Sequence, residues 1–175
     1  ARSGDGWRLI DAGGCLILGC TFHDIDTLSF LQGTEPLSVV AITQSGRRSV
    51  SGIEDGLIAV MRFPGDVLVQ IHGSYAVPYA PGGIEIYGDK AALIARDCMS
   101  QKPVGSLALR NAEGEQPISL THHNLYRYSV ARFLGAINGK GTPAATGEDG
   151  VASLRIALAL KESVRTGREI KVIPS

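Results

Sequence analysis

Apolar positions along the chain alternate between helical and strand spacing. The first helical stretch is Ala12 to Gly33, AGGCLILGCTFHDIDTLSFLQG. Leu16, Cys20, Thr27 and Phe30 recur at helical spacing around His23, and Leu18, Phe22 and Ile25 form a neighbouring stripe. Gly33, just after Leu31, stands where a left-handed residue ends a helix. The spacing predicts a mostly buried helix carrying one imidazole. Leu37 to Thr43 is a nearly continuous apolar run of strand length, and the polar stretch Gln44 to Asp55 reads as a loop.

The pattern then turns to pairs of strands. Leu57–Phe63 and Val67–His72 flank Pro64-Gly65-Asp66, Ile84–Tyr87 and Ala92–Ala95 flank Gly88-Asp89-Lys90, and Ser106–Arg110 and Pro117–Thr121 flank Asn111 to Gln116. Three hairpins are predicted. Helical spacing returns from Asn124 to Asn138, stopped by Gly139 and Gly141, and again from Thr146 to Gly167. Thr146 and Asp149 have the spacing of a capping box. Glu169 to Ile173 is a last strand. Hairpins followed by helices give an α+β class, an antiparallel-rich sheet with helices on one face. Val67, Val69 and Ile71 share one face of their strand, and Leu68, Gln70 and His72 share the other. That second face is apolar enough to predict self-association through the open side of the sheet.

Composition narrows the class. A length of 175 residues with 44% hydrophobic and 19% charged residues predicts one globular domain with a real core. The formal net charge is +0, and Arg47-Arg48 is the one adjacent basic pair, so nothing points to nucleic acid or an anionic membrane. No apolar run is long enough to span a bilayer, and no leader pattern opens the chain, which makes cytoplasmic the expected location. Cys15, Cys20 and Cys98 form no C-x-x-C and are expected as buried small hydrophobes in a reducing compartment.

The motifs in this order resemble the C-terminal domain of the Gfo/Idh/MocA oxidoreductases, the inositol dehydrogenase and glucose-fructose oxidoreductase group. Gly13-Gly14, the apolar run, His23 and Asp26 match the helix that opens that domain, with Trp7 shortly before it. GGIEIYGDKAAL matches the family's strand, Tyr-Gly, turn and small residue, with Ala91 where glycine is usual. Thr146-Gly147-Glu148-Asp149-Gly150, a helix rich in small residues, and Thr166-Gly167-Arg168 match its C-terminus. One departure falls at the centre: the family's aspartate four residues before the histidine is Gly19 here. The resemblance covers essentially the whole chain. It implies a large, mixed, open sheet of the kind in the C-terminal domain of glyceraldehyde-3-phosphate dehydrogenase.

By this resemblance His23 is the catalytic acid/base on a substrate hydroxyl, a role suited to imidazole because its ordinary pKa is near neutrality. Gly19, Asp26, Tyr79 and His123 are the candidate substrate-binding residues. Against these stand structural roles: Asp24 as a solvated helix residue, Asp26 as a buried acceptor, Tyr79, Tyr87 and Tyr126 as packing aromatics, and His72, His122 and His123 as ordinary surface histidines. No spacing among the histidines makes a metal site. No G-x-G-x-x-G follows a strand, so no cofactor-binding residue is assigned. The resemblance implies NAD or NADP in the full-length protein, bound mainly by an N-terminal Rossmann domain that this chain lacks, and no cofactor bound by this chain alone. The implied partners are a small polyol or sugar and further copies of the chain. Two alternatives remain: a binding or assembly module that lost the chemistry, for which Gly19 speaks, and a member that uses NAD to cleave glycosides.

Overall fold

The computed structural model describes residues 16–45 and 53–173. Trp7, Gly13, Gly14, Cys15 and the Arg47-Arg48 pair lie outside the described residues. The helices are α1 (Phe22–Gln32), α2 (Leu125–Ile137) and α3 (Gly147–Thr166). The strands are β1 (Ser38–Ser45), β2 (Glu54–Phe63), β3 (Val67–Ser74), β4 (Gly83–Tyr87), β5 (Ala92–Arg96), β6 (Ser106–Asn111), β7 (Gly114–Ile118) and β8 (Ile170–Lys171). The class is α+β, and every strand pairing among the described residues is antiparallel. The strands form two four-stranded sheets, ordered β3-β2-β1-β8 and β4-β5-β6-β7. The one large sheet implied by the sequence is thus interrupted between β3 and β4. Pro78 and Pro81 lie in that interval and have no N–H to give to a ladder.

These sheets belong to two compact units. Unit 1 takes in the chain up to Pro78 and from Thr146 onward, and unit 2 is Tyr79–Ala145. In unit 1 the chain enters α1 through a wide turn. Ile17–Thr21 is a π-turn whose last bond runs from the Phe22 N–H to the Ile17 carbonyl. The first N–H of the turn, on Ile17, donates to Glu54 Oε1 on β2 at 3.5 Å. A π-turn holds one residue more than an α-turn, so it resets which residues line up. Here Ile17, Thr21 and Ile25 become the buried stripe, and Cys20, His23 and Phe30 the exposed one. The helix is therefore not mostly buried, and its imidazole lies on the open side. Cys20 and Cys98 are exposed as well, contrary to their expected burial. Cys20 falls on the open stripe, and Cys98 in the connection after β5.

Gly33 and Gly167 close α1 and α3 with φ of 66° and 65°, the left-handed stops that the sequence placed there. The α3 start is the expected capping box: Asp149 N–H donates to Thr146 Oγ1 at 3.2 Å, and Thr146 N–H to Asp149 Oδ2 at 2.7 Å. Ile156, Ala157 and Leu160 of α3 pack with Leu16, Ile17 and Ile25 against Leu57, Ala59, Met61 and Phe63 of β2. Ser163, fully buried on α3, accepts the Ala41 N–H of β1 at 3.0 Å and donates to the Arg168 carbonyl at 2.7 Å. The hydroxyl thus satisfies a strand N–H next to β8, which among the described residues pairs with Ser38 and Val39 alone. The other face of this sheet is open. Val40 pairs with Val60 and Ile42 with Ile58 across β1 and β2, and all four side chains are exposed, Ile42 to 74%.

Unit 2 holds the second sheet and α2. Ile84, Ala95, Leu107 and Ile118 share one row across it, and Ile86, Leu93, Leu109 and Gln116 the next row on the same face. The opposite face carries the ion pairs Glu85–Arg96 and Arg110–Glu115. The third hairpin turns sooner than expected. Asn111 pairs with Gly114, and the Asn111 side chain accepts the Glu113 N–H at 2.9 Å, which makes a two-residue turn of Ala112-Glu113. Pro117 is accommodated because β7 is an edge strand. Asn124 caps α2 by accepting the Arg127 N–H at 2.9 Å.

Candidate functional site

The candidate site in unit 1 is built on the exposed side of the π-turn and the first turn of α1. His23 is exposed there, with the Phe22 ring edge-on to it at 5.9 Å between centroids. Thr27 Oγ1 donates to the His23 carbonyl at 2.9 Å, which fixes the backbone and leaves the imidazole to face outward. Asp24, beside it, is half-buried. Burial pushes its carboxyl pKa up, and the His23 charge draws it partly back. Asp24 is therefore not the solvated helix residue the sequence suggested. A carboxyl whose proton is retained more readily than usual stands next to an accessible imidazole.

Asp26 is half-buried and receives the Ser153 hydroxyl of α3 at 3.4 Å, a tie between two helices. Gly19 lies within the π-turn, half-buried. A Cβ placed on it would have the Tyr75 hydroxyl oxygen at 3.5 Å. Tyr75 follows β3. Its N–H donates to the Asp55 carbonyl at 2.8 Å, and its side chain packs on the unit 1 core. Sequence reasoning passed over this tyrosine in favour of Tyr79, Tyr87 and Tyr126. Its approach to the helix depends on strand pairing far along the chain, which no local pattern announces.

The other candidates lie in unit 2. Tyr79 is 95% exposed. His123 is exposed, its Nδ1 3.4 Å from the Thr121 carbonyl and its ring tilted on Tyr128 at 4.7 Å between centroids. The Tyr87 hydroxyl donates to the Glu85 carboxylate, which raises the phenol's pKa. Among the described residues no three His, Cys, Asp or Glu side chains gather into a metal-holding group, and no helix is long and apolar enough to cross a membrane.

Residues 5–172 match the Gfo/Idh/MocA family profile described as "Oxidoreductase family, C-terminal alpha/beta domain". The chain belongs to this family. It is 44% identical over 169 residues to a 1,5-anhydro-D-fructose reductase of Ensifer adhaerens, a match spanning 95% of this chain and 51% of that protein. It is 28% identical over 173 residues to the inositol 2-dehydrogenase of Rhizobium meliloti (strain 1021), with 93% and 51% covered. An aldose-aldose oxidoreductase from Caulobacter crescentus, solved with glycerol, shares the fold at a TM-score of 0.83 and 22% identity, over 94% of this chain and 50% of that one. An Agrobacterium radiobacter oxidoreductase, solved with NAD+, L-tartaric acid and magnesium, does so at 0.72 and 17%, over 89% and 48%. The chain spans about half the length of the curated relatives it matches.

A nicotinamide dinucleotide needs a cradle for its pyrophosphate, commonly an uncapped helix N-terminus after a glycine turn. The N-termini of α2 and α3 in this Gfo/Idh/MocA domain do not fit. That of α2 is closed by Asn124, and that of α3 by Thr146 and the Asp149 carboxylate, an anion in the place a phosphate would need. No step is therefore assigned to these residues through the cofactor.

Proposed function

We propose that this chain is the substrate-binding and assembly half of an NAD(P)-dependent oxidoreductase acting on a sugar, inositol or related polyol, with a carbonyl-bearing sugar derivative as the favoured substrate. The observation that carries the reading is the 44% identity, over 95% of the chain, to a reductase of 1,5-anhydro-D-fructose. The site chemistry agrees with it. His23 presents an imidazole to solvent on a helix whose other face is locked into the core. In the reducing direction it gives a proton to the carbonyl oxygen, and in the oxidising direction it takes one from the hydroxyl. The half-buried Asp24 carboxyl next to it sets the local charge. NAD or NADP is held mainly by residues outside this chain. Asp26 remains a proposed substrate contact through its position one turn from His23, and Tyr79 and His123 stay candidates on unit 2.

The open face of the first sheet completes the proposal. Val40, Ile42, Ile58, Val60 and Leu68 are exposed on it, and we assign its cover to a second copy of the chain. Light scattering is expected to give at least a dimer, reduced to monomer by Ile58→Glu. A strictly monomeric wild type removes this part of the reading.

The test of the activity is turnover by the complete protein of 1,5-anhydro-D-fructose with NADH or NADPH, and of myo-inositol and D-glucose with NAD+ or NADP+, with an aryl glycoside added to the panel. Cofactor turnover matched by reduced product from the anhydrofructose, or by oxidised product from the polyol or sugar, is expected. Cleavage of a glycoside with no net redox change points to the glycosidase alternative, and inertness towards the whole panel points to a binding module.

A further inference from the structure

Residue 19 has no side chain, and one polar group from a distant part of the sequence covers the gap. Among the described residues, the Tyr75 hydroxyl is the one atom within 4 Å of a Cβ built on Gly19, at 3.5 Å, outside the glycine's own neighbours and helix backbone. This is ordinary van der Waals contact. The position is anchored from two sides. The Tyr75 backbone is hydrogen-bonded to β2 through the Asp55 carbonyl at 2.8 Å, and the ring packs on the core that holds Leu16 and Ile17. The next N–H, on Ala76, donates to Ser74 Oγ at 3.0 Å and stiffens the exit from β3. The phenol is thus delivered by a rigid sheet to the helix that carries His23, four residues beyond Gly19 and one turn away.

We infer that Tyr75 is a substrate-binding residue of the His23 site, whose hydroxyl takes the place of a side chain at residue 19 and hydrogen-bonds an oxygen of a sugar or polyol beside the imidazole. A phenol has one O–H to donate and lone pairs to accept, so it binds an alcohol or a carbonyl oxygen equally well. Among the described residues, the contact between Gly19 and Tyr75 leaves room for a small side chain at residue 19. Its absence of a group is compensated by Tyr75.

This inference rests on the proposed sugar-type substrate, and the experiment separates the two. In the complete protein, binding of myo-inositol and D-glucose is measured directly by NMR titration, alongside steady-state kinetics with 1,5-anhydro-D-fructose. Tyr75→Phe is expected to weaken binding and raise KM by about tenfold, the loss of one neutral hydrogen bond, with kcat changed far less. Gly19→Ser added to Tyr75→Phe is expected to restore part of the loss, since it returns a hydroxyl to the same place. A packing role for Tyr75 gives no such rescue. Affinity and KM of Tyr75→Phe within twofold of wild type overturn the inference, as does the absence of any binding. His23→Gln with full turnover overturns the catalytic reading instead, whatever Tyr75→Phe does.

Discussion

Units 1 and 2 each contain a four-stranded antiparallel sheet and helical structure, but they bury their apolar residues very differently. In unit 1, Leu57, Met61, Phe63, Ile156 and Leu160 are almost completely removed from water and form one continuous core. In unit 2, Ile94 is the one buried large apolar residue among those described, while Tyr128, Val130, Phe133 and Ile137 of α2 are all more than half exposed. Backbone pairing alone holds a sheet weakly, so the same architecture has two sources of stability here. Unit 1 is fixed by packing, which suits it to hold His23 and Tyr75 rigidly. Unit 2 is fixed by ladders, caps and surface ion pairs, which suits it to meet other surfaces.

The comparison is broken most strongly in the core. Leu160→Ala is expected to cost about 2–5 kcal/mol, since a fully buried leucine leaves a cavity. Leu134→Ala in unit 2, at a half-exposed position, is expected to cost less than about 1 kcal/mol. Urea denaturation of both variants measures the contrast, and equal losses would remove the distinction between the units.

Unit 2 has its own point of failure, in the backbone. A Cβ on Gly83 would stand 2.4 Å from the Ala95 carbonyl oxygen, a backbone atom that cannot move without parting β4 from β5. Gly83→Ala is expected to cost about 1–3 kcal/mol, as overpacking does elsewhere. Hydrogen exchange should show the loss confined to β4 and β5, with protection of β1 and β2 unchanged.

A smaller effect comes from two carboxyls of unit 1 that respond to pH in opposite senses. The Asp24 pKa is raised by burial, so its charged form opposes folding once the pH is above the ordinary carboxylate range. Asp24→Asn is expected to raise Tm at neutral pH, with the gain fading as acid protonates the wild-type group. The Asp149 pKa is lowered by the Thr146 backbone and hydroxyl bonds, so its contribution is present at neutral pH and lost as pH falls through the depressed value. Asp149→Asn is expected to lower Tm at neutral pH and to converge with wild type in acid. Parallel pH profiles for the two variants would contradict this assignment.

Much of the fold was legible because local chemistry announces it. Gly33 and Gly167 mark helix ends, Thr146 and Asp149 mark a start, and Pro64-Gly65-Asp66 marks the hairpin between β2 and β3. The Asn111 turn was placed too wide because Gly114 and Glu115 look like loop residues until the ladder to β6 is seen. The division into two sheets was not legible, since strand pairing is set by tertiary contact rather than by propensity. At the site, the motif singles out His23, which lies on the exposed side of α1. The exposed side of its helix was not legible, because the π-turn shifts the stripe and α-helical spacing carries no sign of it. The half-burial of Asp24 and the reach of Tyr75 to Gly19 were not legible for the same kind of reason: both are properties of the packed unit.

The most direct test of the account compares one histidine from each unit in the complete protein. His23→Ala and His123→Ala are assayed by steady-state kinetics with 1,5-anhydro-D-fructose and NADPH or NADH. The account predicts that His23→Ala lowers kcat by about 10²–10⁴-fold, the usual worth of a positioned acid/base, with a smaller change in KM. It predicts that His123→Ala leaves kcat close to wild type. Full dehydrogenase or reductase turnover by His23→Ala would contradict the assignment of the chemistry to the α1 imidazole.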